Sequence, residues 1–114
     1  MRKRFPIVLA ANGRWPDAQT GSPGFRFNWV LVDNKGSNPV DVSLNSNPTA
    51  GDKVDVLFTV GAGKVRAKNV GGPRDADGQP SDDWPHEIFL VSALGTTALL
   101  TLADHPLVDM VFAT

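Results

Sequence analysis

Three consecutive stretches of the chain alternate between apolar and polar side chains, and this period of two constrains the fold more than any other feature. The stretches are residues 25–32, 40–44 and 53–60, and turn-forming residues separate them. In the second stretch two valines and a leucine share one face, while an aspartate and a serine occupy the other. Alternation of this kind is typical of β-strands with one dry and one wet face. The sequence therefore predicts an all-β domain.

Five further segments with strand-like composition complete the predicted set. The stretch 88–102 contains helix formers, but Gly95 interrupts it and a threonine pair follows, so two strands are favoured over one helix. The short loop 61–63 predicts a hairpin between the strands on either side of it. About eight strands at this spacing predict a single antiparallel β-sandwich or jelly-roll-like domain, with an OB-like barrel as the alternative. The five segments are residues 5–10, 64–70, 88–93, 96–102 and 107–112.

Composition excludes several classes of function. The chain has no cysteine, which excludes disulfides and thiolate metal sites, and it has no tyrosine. The formal net charge is −1, whereas domains built mainly to coat nucleic acid are markedly basic. No apolar run approaches the roughly 18 residues of a membrane span. Residues 1–114 are predicted to form one domain with a short basic N-terminal arm at residues 1–4, whose apolar continuation is too short for a secretory signal.

No catalytic or metal-binding constellation stands out in the sequence. Asp104 and His105, with Asp109 nearby, have the ingredients of an acid–base pair or a metal site. However, they lie in a turn before a proline, and their spacing shows no convergence of ligands. An Asx-type turn explains Asp104 more simply. We therefore predict no catalytic residue, no metal site, no cofactor and a non-enzymatic function.

Two alternating rows of side chains are candidates for binding nucleic acid. One is a cationic stripe on a single strand face, where it could meet phosphates, meet an acidic partner, or keep a sheet edge soluble. The other is an aromatic row, on one face with Trp29 and Leu31, that forms either core or a platform on which single-stranded bases stack. The candidates are Phe25 and Phe27 in the row and Lys64, Arg66 and Lys68 in the stripe.

Aromatic residues outside the predicted strands, together with the two ends of the chain, are candidates for protein contacts. Trp15 and Trp84 lie in long polar loops. Each is expected either to cap an end of the domain or to anchor a partner, because tryptophan is enriched at interface hot spots. The predicted partner-binding residues are Arg2, Lys3, Arg4, Trp15, Trp84 and Phe112.

The middle half of the chain resembles a cold-shock OB barrel. The resemblance rests on Gly24-Phe25-Arg26-Phe27, on Val40-Asp41-Val42, and on residues 51–58 and 65–70. It implies a barrel that binds single-stranded nucleic acid through aromatic and basic side chains. The second RNA-binding motif of that family has an aromatic residue and a histidine where this chain has Asp41 and Ser43.

A second resemblance covers most of the chain. Residues 30–42, residues 59–64, Gly95-Thr96-Thr97-Ala98 and residues 103–109 resemble small β-sandwich structural proteins of tailed-phage virions, namely head decoration, cement and tail-associated proteins. This resemblance implies a virion component that is assembled in the host cytoplasm. Such a protein acts through contacts with capsid or other virion proteins, typically as a homo-oligomer, and without a membrane.

Overall fold

A computed structural model describes residues 2–15, 25–44, 56–80 and 84–105, and these residues form eight β-strands and no helix. The predicted strand at residues 107–112 and the first part of the one at residues 53–60 lie outside the described residues. In chain order the strands are β1 (Arg2–Leu9), β2 (Gly13–Trp15), β3 (Trp29–Asn34), β4 (Val40–Ser43), β5 (Phe58–Val60), β6 (Val65–Asn69), β7 (Phe89–Ser92) and β8 (Thr96–Ala103).

The strands pair as a long antiparallel ribbon that is wrapped into two sheets. β1 pairs with β8, β2 with β7, β3 with β6 and β4 with β5. Two further antiparallel pairings, β3 with β8 and β4 with β7, join these pairs side by side. The described strands therefore form sheets with the orders β1-β8-β3-β6 and β2-β7-β4-β5. This is a jelly-roll arrangement, and it confirms the predicted all-β sandwich over the OB-like barrel.

Alternate residues of both sheets fill the space between them. In the first sheet, Val30 and Val32 of β3 lie opposite Leu102 and Leu100 of β8, and all four side chains are buried. Burial of these apolar side chains is what holds the two sheets face to face. The second sheet contributes Val40, Val42, Phe58, Val60 and Leu90 to the same core.

The aromatic row that the sequence places on one face is split between two faces. Phe27 is fully buried in the core, whereas Trp29 packs with Leu31 in a second cluster on the outer side of the first sheet. Phe27 precedes β3, and its N–H donates to the carbonyl of Pro85 at 3.1 Å, so the chain here follows the segment before β7. The alternation changes phase at Asn28, and the expectation that Phe27 shares a face with Trp29 was wrong.

The loop at residues 61–63 crosses between the two sheets. β5 pairs with β4 in one sheet and β6 pairs with β3 in the other, so the predicted hairpin was wrong. The crossing is a turn in which the N–H of Lys64 donates to the carbonyl of Gly61 at 3.0 Å. The two strands that the sequence suggests as partners therefore belong to opposite layers.

The buried side chain of Asn34 stabilises this crossing through hydrogen bonds. Its side chain is fully buried, and Nδ2 donates to the carbonyls of Asn38 at 2.8 Å and Val60 at 3.0 Å. Its Oδ1 accepts from the hydroxyl of Thr96 at 2.7 Å and from the N–H of Gly36 at 3.1 Å. One amide thus joins the end of β3 to the end of β5 and the start of β8, with both donors and the acceptor satisfied.

The basic residues near the start of the chain belong to a strand and not to a free arm. β1 pairs with β8 over its whole length, from Arg2 opposite Ala103 to Leu9 opposite Thr96. The predicted arm at residues 1–4 is therefore corrected for residues 2–4, because their backbone continues the ladder that the apolar residues of β1 establish.

Candidate functional site

An aromatic and cationic cluster lies along one open side of the sandwich, where β1 and β2 are the edge strands of the described sheets. Phe5 of β1 and Trp15 of β2 bring their ring centroids to 5.2 Å with 49° between the planes. Beside them, Lys3 Nζ lies 5.7 Å from the centroid of the Phe25 ring. Tilted aromatic pairs and cation–π contacts are both favourable. We call Lys3, Phe5, Trp15 and Phe25 the edge cluster.

The alternation of β1 places two members of the edge cluster. Lys3 and Phe5 share the inner side of the strand with Ile7 and Leu9, which are buried in the core. Burial falls toward the start of the strand, since Phe5 is half-buried and Lys3 is exposed. The core-facing side of β1 therefore becomes exposed to solvent toward the start of the strand, and the edge cluster lies at this end.

Positive charge surrounds the edge cluster. Residues 2–15 contain four cations and no carboxylate. Arg2, Arg4 and Arg14 are exposed. The screening length is about 10 Å at an ionic strength of about 0.1 M, so neighbouring cations act together on an approaching anionic surface.

Four of the six predicted partner-binding residues lie on the edge strands β1 and β2. Arg2, Lys3 and Arg4 lie on β1, and Trp15 lies on β2, a strand that the sequence suggests is loop. Lys3 shares the inner side of β1 with Phe5, on which Trp15 packs, whereas Arg2 and Arg4 alternate to the outer side. Phe112 lies outside the described residues. Phe5, which packs on Trp15, and Arg14, which precedes Trp15 on β2, were not among the predicted residues. The apolar alternation that continues from Phe5 along β1 is a signal that could have placed Phe5 at the rim of the core.

Trp84 is not available to a partner. Its side chain is 1% exposed, and its Nε1 donates to the carbonyl of Gly72 at 2.8 Å. The guanidinium of Arg74 lies 5.2 Å from the centroid of the Trp84 ring, and the Trp84 carbonyl accepts a hydrogen bond from Arg26 Nη1 at 2.7 Å. Trp84 therefore packs beneath the polar segment 71–80 and caps the core there. Of the two roles predicted for Trp84, the structure supports the cap, and the burial of the ring leaves no exposed surface for the partner contact.

The aromatic and cationic residues of the nucleic-acid alternative are not brought together, although the Phe25 and Phe27 rings contact each other edge-on, with centroids 6.4 Å apart. Arg66 and Lys68 of the cationic stripe belong to β6, and Lys64 directly precedes it. This strand is separated from β1 by two strands and thus by about 14 Å at ordinary strand spacing. Phe25 lies on the β1 side, against Lys3. Phe27 is fully buried, so it has no face open for stacking on a base.

Several titratable side chains elsewhere in the described residues serve local structure. No group of three or more His, Cys, Asp or Glu in that part of the chain is placed to hold a metal ion. Asp75 Oδ1 accepts the N–H groups of Asp77 and Gln79, at 3.0 and 2.9 Å, and so stabilises its own turn. Asp104 Oδ1 lies 3.2 Å from His105 Nδ1. Burial acts to raise the pKa of Asp104, but hydrogen bonding and positive charge, including those of His105, outweigh it and hold this pKa below its usual value.

Comparison with protein-family models, with curated proteins and with solved structures found no match to the chain. Within the described ranges, no helix is long and apolar enough to cross a membrane. The edge cluster is therefore the feature on which a function can be proposed.

Proposed function

We propose that this chain is a non-enzymatic structural or assembly protein of a tailed-bacteriophage virion, of the capsid decoration or cement type, that acts through protein–protein contacts. The observation that carries the proposal is the edge cluster, in which the rings of Phe5 on β1 and Trp15 on β2 pack on each other and Lys3 of β1 lies over the ring of Phe25. The jelly-roll sandwich supports the class by analogy of fold, since viral capsid domains are among the proteins built this way.

The edge cluster has the composition of an interface hot spot. Tryptophan and arginine are enriched among the residues that dominate binding energy. Trp15 and Phe5 are half-buried and already packed on each other, so little side-chain freedom is lost when a partner covers them. The exposed Arg4 and Arg14 would steer an acidic capsid surface toward the edge cluster by long-range attraction.

We further propose that the protein works as a homo-oligomer on the virion after assembly in the host cytoplasm. Copies docked on a repeating capsid lattice hold one another at fixed spacing. Individually weak contacts between neighbouring copies then reinforce the docking of each one, because the second contact becomes intramolecular in effect. No cofactor and no membrane enters this mode of action.

Virions and capsids of the phage whose genome encodes the chain provide the test. Mass spectrometry of purified virions is expected to detect the protein, and the purified protein is expected to bind capsids that lack it. Trp15→Ala is expected to weaken capsid binding at least about tenfold, which corresponds to about 1.4 kcal/mol. Arg14→Glu, at an exposed position, is expected to weaken binding and to reduce its dependence on salt.

Leu94→Ala is the matched control. Leu94 is an apolar side chain that is 69% exposed in the turn between β7 and β8, outside the edge cluster, so this variant is expected to bind as the parent does. Urea denaturation establishes whether each variant is folded. If Trp15→Ala does not fold, the capsid binding of Arg14→Glu alone tests the role of the edge cluster. Equal capsid binding by all the folded variants would contradict the role of the edge cluster. Absence from virions, together with a monomeric state at high concentration, would contradict the virion assignment.

A further inference from the structure

We propose that β6 is a strand-addition site for an extended acidic segment of a partner protein. The strand lies at the edge of the first sheet opposite β1, and no other described strand pairs with its second side. It contains five residues, Val65–Asn69, with neither proline nor glycine among them. Proline is one device by which natural proteins block strand addition at a sheet edge.

The hydrogen bonds that flank β6 show which of its backbone groups point outward. The N–H of Asn34 donates to the carbonyl of Lys64 at 2.9 Å, and the N–H of Val70 donates to the carbonyl of Asn28 at 2.7 Å. Even-numbered residues of this segment therefore direct their backbone groups toward β3, because antiparallel ladders alternate in this way. The backbone groups of the odd-numbered Val65, Ala67 and Asn69 point away from the sheet.

The cationic side chains of β6 face the rim of the core. Arg66 lies opposite Val32 and Lys68 opposite Val30, and both valines are buried on the inner side of the sheet. Residues directly opposite in a ladder share a face, so these cations line the gap between the sheets. The guanidinium of Arg66 lies 5.1 Å from the centroid of the Phe58 ring, on β5 of the other sheet.

This placement makes the edge selective for an acidic strand. A neutral or cationic strand laid beside β6 would cover the cations without compensating charge, and desolvation of unpaired charges is costly. A strand with carboxylates at alternate positions would set them on the same face as the cations, where opposite charges across a ladder are favourable. Residues 56–74 contain four cations and no carboxylate. No carboxylate within this segment therefore competes with the partner's carboxylates for the cations of β6. A second copy of β6 is excluded as the partner strand, because its cations would repel those of the first copy.

The test uses a short synthetic peptide in which glutamate alternates with valine, and a matched peptide with glutamine in place of glutamate. Titration followed by amide NMR is expected to shift residues 64–70 of the protein with the glutamate peptide only. The variant carrying Lys64→Gln, Arg66→Gln and Lys68→Gln is expected to lose this binding. Binding to the parent protein is also expected to weaken as salt is raised.

Ala67→Pro separates strand addition from simple charge attraction. It removes an outward-pointing N–H, leaves the ladder to β3 in place and changes no charge. Loss of one net hydrogen bond predicts about tenfold weaker binding of the glutamate peptide. If this variant does not fold, a glutamate peptide N-methylated at alternate valines replaces it as the probe.

Unchanged affinity after either backbone modification would overturn the proposal. The proposal would also be overturned if single-stranded oligothymidylate bound the same residues as tightly as the glutamate peptide does, since the site would then be a phosphate-binding surface. None of these variants touches the edge cluster. Failure here would therefore leave the proposed capsid contact standing, and failure of the capsid test would leave this site standing.

Discussion

Replacement of Asn34 by aspartate is the sharpest test of how the two sheets are held together. The change is nearly isosteric, but it removes both Nδ2 donors, which bind the carbonyls of Asn38 and Val60. The acceptor for Gly36 and Thr96 is kept. In Asn34→Asp the carbonyls of Asn38 and Val60 therefore lose the Nδ2 donor, and a carboxyl oxygen takes its place at a fully buried position.

The expected loss of stability follows from these contacts. A buried polar group left without its partner costs about 1–3 kcal/mol at neutral pH, and this applies in full to the Val60 carbonyl. The bond to the Asn38 carbonyl is only partly buried, so its loss adds less. The combined loss is a large part of the roughly 5–15 kcal/mol that stabilises a typical domain. Burial and the facing carbonyls raise the pKa of the new carboxyl in the folded state above that in the unfolded state. Its contribution to stability is therefore most favourable at low pH, where the protonated carboxyl can donate one bond, and is lost as pH rises through the folded-state pKa.

Urea denaturation at about pH 3.5 and about pH 7 measures both effects relative to the parent protein. Asn69→Asp is the matched control, because Asn69 is exposed and its Oδ1 accepts from the N–H of Gly71, a bond that a carboxylate keeps. This control is expected to change stability by no more than about 0.5 kcal/mol. The reasoning is refuted if Asn34→Asp destabilises no more than Asn69→Asp does, or if its effect is the same at both pH values.

Three further perturbations can be checked by the same denaturation assay. Trp84→Ala is expected to lower the free energy of unfolding by about 3–5 kcal/mol. Trp84→Phe is expected to lower it by about 1 kcal/mol or more, because the indole hydrogen bond is lost. A loss below about 1 kcal/mol for Trp84→Ala would be incompatible with the burial of this side chain. Gly95→Ala is expected to cost about 1–3 kcal/mol more than Gly63→Ala. Both glycines have positive φ, but only at Gly95 would a Cβ meet backbone, at 2.8 Å, so equal costs would count against this contact. The lowered pKa of Asp104 contributes stability above its unfolded-state pKa that is lost as pH falls through the folded-state pKa. His105→Ala is expected to reduce this acid dependence without abolishing it, because a further hydrogen bond and positive charge also lower this pKa; an unchanged dependence would contradict the role of the histidine.

The sequence by itself determined the class of the fold and the approximate position of most strands. β4, β6, β7 and β8 fall within or close to the predicted segments, because the alternation of side chains is a local property that follows from the pleat of a single strand. The turn-forming residues between the strands are also local signals. The candidate cations on β1 and β6 could be identified for the same reason, since charge is read directly from the chain.

The tertiary structure alone decided which strands pair, which face each aromatic residue takes, and which residues meet at a site. Arg2 lies opposite Ala103, and no local pattern relates two residues so far apart in sequence. Phe27 turns into the core because its backbone pairs with Pro85, and Trp84 is buried because a distant polar segment covers it. Trp15 reaches Phe5 only because the wrapped ribbon places the edges of two different sheets side by side. These outcomes depend on how the whole chain closes on one core, and such closure is set by the sum of long-range contacts and not by any single segment.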